Sequence, residues 1–175
     1  MRRVLIWAPL AVFAILVLLL VFGLGRSPET QIRSHLVGKP LPEFALPAMI
    51  EAHPGLSSPD LRTGQPRLLN IFASWCLPCI VEAPQLLELK RRGIPIDAIA
   101  IRDRPEDVAK FLQRHGDPYQ RMGSDRDSRV QLALGSSGVP ETFVIDAKGV
   151  IRHQHIGEIR PEHVSRIVQA WEEAR

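Results

Sequence analysis

Cys76 and Cys79 are the only cysteines in this 175-residue chain, and two residues separate them. Sulfurs at that spacing can close into a small disulfide loop and part again, which makes the pair a two-electron switch. With no third cysteine present, both sulfurs are free for exchange chemistry. Two other uses of a CxxC pair compete. Half of a tetrahedral zinc site needs two further Cys or His ligands. There is no second CxxC, and the six histidines (35, 53, 115, 153, 155 and 163) form no HxxxH pair. Only His153 and His155 stand at i, i+2, a spacing that two exposed strand residues explain as well. A structural staple is a poor fit, because so short a loop restricts the unfolded chain very little.

The flanking residues say how a thiol here would be activated. Residues 67–74 read as a buried strand, and 76–92 read as a helix with apolar Ile80, Val81, Ala83, Leu86, Leu87 and Leu89. Cys76 then lies at the helix N-terminus, where unpaired N–H groups and the macrodipole favour a thiolate. Pro78 suits the first turn, and Pro84 is expected to kink the helix. Cys76 is therefore the expected exposed nucleophile. Cys79, one turn further in, is the expected resolving cysteine.

The run Phe72-Ala73-Ser74-Trp75-Cys76-Leu77-Pro78-Cys79, followed by Ala83-Pro84, resembles the thioredoxin superfamily active site. That resemblance implies a facing cis-proline loop, matched by Gly138-Val139-Pro140-Glu141-Thr142. A cis X–Pro bond can expose backbone to an extended peptide; the ordinary reading of Val139-Pro140 is a trans turn. Gly138 to Asp146, then Gly149-Val150-Ile151-Arg152, is similar to the membrane-anchored thiol:disulfide interchange proteins of cytochrome c maturation, the CcmG/DsbE type. Gly38-Lys39-Pro40, Pro42-Glu43-Phe44, Glu82 and the turn Gly116-Asp117-Pro118-Tyr119 share in the likeness, which covers about residues 37–175. Two departures stand out. Many members carry a tyrosine where Ser136-Ser137 occurs here. Thioredoxin places an aspartate where this chain has Asn70, a difference that agrees with the CcmG type.

Glu82 and Glu141 are the candidate acidic residues of the site. A carboxylate near the pair can accept the resolving thiol's proton, and it disfavours a nearby thiolate, which suits a reductant. The plainer alternatives are a solvated helix face for Glu82 and a loop surface for Glu141. Asn70 reads as a satisfied strand residue. With the resemblance, Trp75, Val139 and Pro140 become the substrate-binding residues.

The elements that position these groups follow the thioredoxin order, an α/β fold with a central mixed sheet flanked by helices. Expected are an extended stretch 42–47, an irregular segment 48–66, the strand and helix above, a strand 94–102, and a helix 105–115. Then come a short segment around 121–124, a helix 126–134, strands 142–147 and 150–157, and a helix 161–173. Ahead of this lies an uncharged apolar run from Val4 to Gly25. It is long enough to cross a hydrocarbon core of about 30 Å as a helix. A cleaved signal peptide is the rival, but no clear Ala-x-Ala site follows the run. Arg2 and Arg3 favour a cytoplasmic N-terminus. The expected organisation is a transmembrane anchor at 1–25, a linker at 26–37, and a periplasmic thioredoxin-like domain at 38–175.

Net charge is +3, with the basic residues scattered, and no nucleic-acid motif is present. The resemblance implies a protein-disulfide reductase of the inner membrane, with no cofactor beyond its own cysteines. Its implied client is apocytochrome c, whose CxxCH thiols must be reduced before haem attachment within the cytochrome c maturation machinery. Its implied electron source is a membrane thiol reductant of the DsbD/CcdA type. Rival readings are service to another client, such as cytochrome oxidase copper-site assembly, and a non-enzymatic haem- or metal-binding protein with the cysteines as ligands.

Overall fold

The structure is a computed structural model that describes residues 7, 10–19 and 34–175. The chain divides into two units, Met1–Gln31 and Ile32–Arg175. In the first unit, residues 7 and 10–19 are helical, and the side chains of 10–19 are exposed. The rest of the expected anchor and most of the expected linker lie outside the described residues. Among the described residues, no helix is long and apolar enough to cross a membrane.

The second unit is built on β3 (Arg67–Phe72), whose six residues are all buried. A strand covered on both faces reads as a continuous apolar run, and Leu68, Leu69, Ile71 and Phe72 supply it. Helix α1 (Leu77–Arg91) follows, then β4 (Ile96–Ile101), α2 (Pro105–His115) and β5 (Met122–Asp125). A short α3 (Arg129–Ala133) leads to β6 (Glu141–Ile145), β7 (Ile151–Ile156) and α4 (Pro161–Glu173). The sheet order is β5-β4-β3-β6-β7. β3, β4 and β5 run parallel, β6 is antiparallel to β3, and β7 is antiparallel to β6. This is the mixed sheet with flanking helices of the thioredoxin-like fold.

Both α2 and α4 begin and end where the sequence reading places them. Each opens on a proline, whose fixed φ and missing N–H cost nothing in a first turn. Helix α2 also carries Glu106 and Asp107 in its first turn, Arg114 and His115 in its last, and Gly116 at φ 90° beyond it. Two places differ. The stretch expected to be irregular contains β2 (Leu56–Ser57), which pairs antiparallel with β1 (Ala45–Leu46). Strands of two residues leave no periodic signal. The helix expected at 126–134 shrinks to Arg129–Ala133, because Ser128 takes a left-handed conformation (φ 56°) and halts it.

Residues that pair across a sheet share a face. Asn70 is registered with Thr142, and Thr142 with His155, so the three form one row across β3, β6 and β7. Helices α1 and α4 pack together over this row. On β3, Asn70 alternates with Leu69, which is registered with Asp97 of β4 and so looks to the opposite face.

Candidate active site

β3 ends at Phe72, and the chain turns through Ala73, Ser74 and Trp75 into α1. The turn is held from β4's far end. Asp103 accepts from the Ser74 N–H and from the Ser74 hydroxyl at 2.7 Å, and the Trp75 indole donates to the Arg102 carbonyl at 3.3 Å. Cys76 is the N-cap of α1, and its Sγ accepts the Cys79 N–H at 3.2 Å. An N-cap sulfur receives both the capping hydrogen bond and the positive end of the helix, the two influences that stabilise a thiolate. Cys76 and Cys79 are joined as a disulfide with Cα atoms 5.3 Å apart. Helix α1 runs on uninterrupted through Pro84.

Cys76 is not the exposed sulfur that its place at a helix start suggested. It is 4 % exposed, against 2 % for Cys79. In the disulfide its Sγ lies over the Cys79 N–H. What is exposed is the apolar rim around it: Trp75, Leu77 and Val81.

Both candidate acids are fully buried, so neither is a solvated face nor a loop surface. Glu82 lies one turn beyond Cys79 on the inner side of α1. Its Oε1 accepts from Asn70 Nδ2 at 3.0 Å, and its Oε2 accepts from the Ile159 N–H at 3.1 Å. Both donors are neutral. Burial pushes the carboxyl up to about 7, against the pull of these two hydrogen bonds, and the nearby Glu158 charge adds to the rise. Asn70 is indeed satisfied. Its amide also donates to Thr142 Oγ1 at 3.0 Å, and its oxygen accepts from the Tyr119 hydroxyl at 2.8 Å. Burial and the Glu82 charge hold the Tyr119 phenol well above its usual value, so it stays a donor.

Glu141 opens β6 and pairs with Ile71 of β3. Its carboxylate gathers donors from Ser136 and Ser137. Ser136 Oγ lies at 3.0 Å, the Ser137 N–H at 2.9 Å and Ser137 Oγ at 3.3 Å, with Gln154 Nε2 on the other oxygen. The peptide bond before Pro140 is cis. The β3–β6 register sets this proline one step beyond Glu141, level with the end of β3. Neither the N–H nor the C=O of Val139 hydrogen-bonds among the described residues.

The sequence reading missed Tyr119 as the anchor of Asn70, although it singled out the turn that carries it. It gave no role to Asp103, Ile159 or His155. Nothing in the spacing of these residues points to a dithiol, because each joins the surroundings of the site through other residues. Among the described residues, no group of three or more His, Cys, Asp or Glu is placed to hold a metal ion.

A disulfide at the start of the helix that follows a central strand, with a cis-proline at the neighbouring strand's mouth, defines a thioredoxin-fold redox protein. Comparison with known proteins narrows this. The Redoxin family model matches residues 36–170. The thiol:disulfide interchange protein DsbE of Pseudomonas fluorescens biotype C is 41% identical over 159 residues, covering 91% of this chain and 88% of that protein. The thiol:disulfide interchange protein HelX of Rhodobacter capsulatus is 35% identical over 166 residues, covering 95% and 94%. Among solved structures, a thiol:disulfide interchange protein of the thioredoxin family from Chlorobium tepidum TLS superposes with a TM-score of 0.61 at 25% identity. It covers 77% of this chain and 94% of that one. The chain belongs to the Redoxin family and, within it, to the DsbE/HelX thiol:disulfide interchange proteins. It is a thiol:disulfide oxidoreductase.

Proposed function

We propose that this chain is a membrane-tethered reductase of protein disulfides in cytochrome c maturation, acting on apocytochrome c. Residues 1–25 anchor it in the inner membrane with the N-terminus in the cytoplasm, 26–37 link, and 38–175 form the periplasmic domain. In the reduced protein, the Cys76 thiolate attacks one sulfur of the client disulfide. The other client sulfur leaves as a thiolate and takes up a proton. Cys79 gives its proton to Glu82, and its thiolate attacks Cys76 Sγ. The Cys76–Cys79 disulfide re-forms and the client leaves with both thiols reduced. Two electrons pass from this pair to the client, and no other cofactor is required. A membrane thiol reductant of the DsbD/CcdA type returns the pair to its dithiol form.

The observation that carries the reading is Cys76 at the N-cap, with Glu82 buried one turn beyond Cys79 and held by two neutral donors. The first makes a nucleophile. The second is a base that titrates close to neutrality and, when charged, disfavours a thiolate beside it. Trp75, Leu77 and Val81 offer the client an apolar surface, and the unpaired backbone of Val139 beside Pro140 can pair with an extended segment. Glu141 shapes this loop through the two serines.

The equilibrium of the full chain with glutathione tests the direction of transfer. A reduction potential at or below roughly −200 mV fits a reductant, and one near roughly −120 mV overturns it. A Cys79→Ser variant then tests the client. Mixed disulfides trapped with apocytochrome c support the proposal, and exclusive capture of a copper-assembly protein defeats it.

A further inference from the structure

Glu82 does not meet only a backbone N–H in Ile159. That N–H belongs to the peptide group whose carbonyl is Glu158 C=O, and His155 Nε2 lies 3.2 Å from this oxygen. A carbonyl oxygen only accepts, so Nε2 carries the proton. One planar peptide thus joins the imidazole to the carboxylate, with donors and acceptors all pointing the same way. Such chains polarise their members: a hydrogen bond to the C=O makes the same peptide's N–H a better donor. The loop is gripped at its next residue as well. His163 of α4 accepts the Arg160 N–H at 3.2 Å, and its ring lies tilted against that of His155 at 4.7 Å. His155 also sits in the row under α1 and α4, next to Thr142, which receives the second Asn70 hydrogen bond.

We propose that His155 is a positioning residue for Glu82, acting through the 158–159 peptide to aim and strengthen the N–H that holds the buried carboxylate. The inference rests on the reading of Glu82 as the base that receives the Cys79 proton. Burial, with the charge of Arg166, holds the His155 imidazole below its usual value, while the Glu158 carbonyl and carboxylate pull the other way. His155 therefore stays a neutral donor around neutral pH. Among the described residues, the groups that face Glu82 are Asn70, the Ile159 N–H, Tyr119 and the Glu158 charge, and Cys79 stands one helical turn before it on α1. His155 makes no direct hydrogen bond to it among the described residues.

The test is the pH profile of the resolving step, read in the full chain as the rate at which Cys79 releases a Cys76–glutathione mixed disulfide. The rate rises as Glu82 ionises. Losing the donor at 155 weakens the Ile159 N–H, so the His155→Leu profile should move to higher pH by roughly half a unit. His155→Gln, which can still donate to the carbonyl, should restore it. His155→Asn, too short to reach, should behave as His155→Leu and serves if that variant does not fold. In Glu82→Gln the ionisation should vanish, and adding His155→Leu should change nothing more. If Glu82→Gln removes the ionisation while His155→Leu and His155→Asn leave it in place, the positioning role is overturned and the Glu82 reading stands. If Glu82→Gln leaves the profile unchanged, the Glu82 reading fails and this inference fails with it.

Discussion

Glu82 and Asp97 are both sealed inside this domain, on opposite faces of the same sheet, and they meet burial in different ways. Asp97 lies on β4 beside the start of β3, where Arg67 Nη1 stands 2.9 Å from its carboxylate. Arg67 is itself nearly buried, and it also donates to the Asp60 carbonyl and to Gln120. Among the described residues, Glu82 has no cation, and Asn70 and the 158–159 peptide are its only hydrogen-bond partners. Burial lifts both acids, Asp97 to about 6 with Arg67 opposing, and Glu82 to about 7 with only neutral donors opposing. At neutral pH the first is a charged member of an ion pair, and the second is divided between its acid and its base. A counter-ion fixes a charge for structure. Leaving one out keeps a proton exchangeable, which is what the role proposed for Glu82 beside Cys79 needs.

Removing the counter-ion should give the largest effect. Arg67→Met strands the Asp97 charge in the interior, and breaking such a pair costs about 3–5 kcal/mol. Denaturant unfolding at pH 8 should show this loss, and at pH 5, where Asp97 takes a proton, the loss should be smaller. The exchange rate per folded molecule should not change, because Arg67 lies away from the dithiol. A large fall in that rate would mean that the two regions are not independent.

The pH dependence of stability separates the two acids next. Each has a folded-state pKa raised above its unfolded value, so between those values the native chain holds a proton that the unfolded chain has released. Stability therefore falls as pH rises through each window. The Asp97 window runs from 3.8 to about 6, and the Glu82 window from 4.5 to about 7. Between pH 6 and 7 Glu82 contributes a downward slope approaching about 1 kcal/mol per pH unit, with a smaller share from Asp97 and an opposing one from His155, whose folded value lies below 6.5. Glu82→Gln should flatten that stretch, and Arg67→Met should not.

The sequence shows the dithiol far more plainly than it shows these acids. Cys76, Cys79 and Pro140 are read from short local patterns, and α2 and α4 start on prolines that suit a first turn. On α1 the polarity pattern misleads. The apolar list for this helix includes Val81 and leaves out Glu82, yet Val81 is 52 % exposed and Glu82 is fully buried. A helix with one of its two acids facing inward while a valine faces out breaks the usual rule of patterning, and such breaks gather where function outweighs local stability. The contacts that make the inversion tolerable come from Asn70 and Ile159, which lie 12 and 77 residues away in sequence. Spacing within one helix cannot reveal them.

Tyr119→Phe probes the same support at smaller cost. The variant removes the hydroxyl that donates to Asn70 and should lower stability by about 1 kcal/mol. With its oxygen unpartnered, the Asn70 amide is free to turn its N–H away from Glu82. The slope between pH 6 and 7 should then steepen, whereas a purely packing role for the ring would leave it unchanged.

Val81→Ser tests the outward half of the inversion. An exposed valine on a helix contributes little to the core, so the change should move stability by less than about 0.5 kcal/mol. If Val81, with Trp75 and Leu77, forms the surface that a client covers, the variant should raise KM for a protein disulfide and leave kcat nearly unchanged. Uniform binding is lost without touching the sulfurs, the helix cap or Glu82. A fall in kcat at constant KM would instead place Val81 in the chemistry. An unchanged KM would show that its exposure serves nothing at this face of the site, and that only the buried acid was selected.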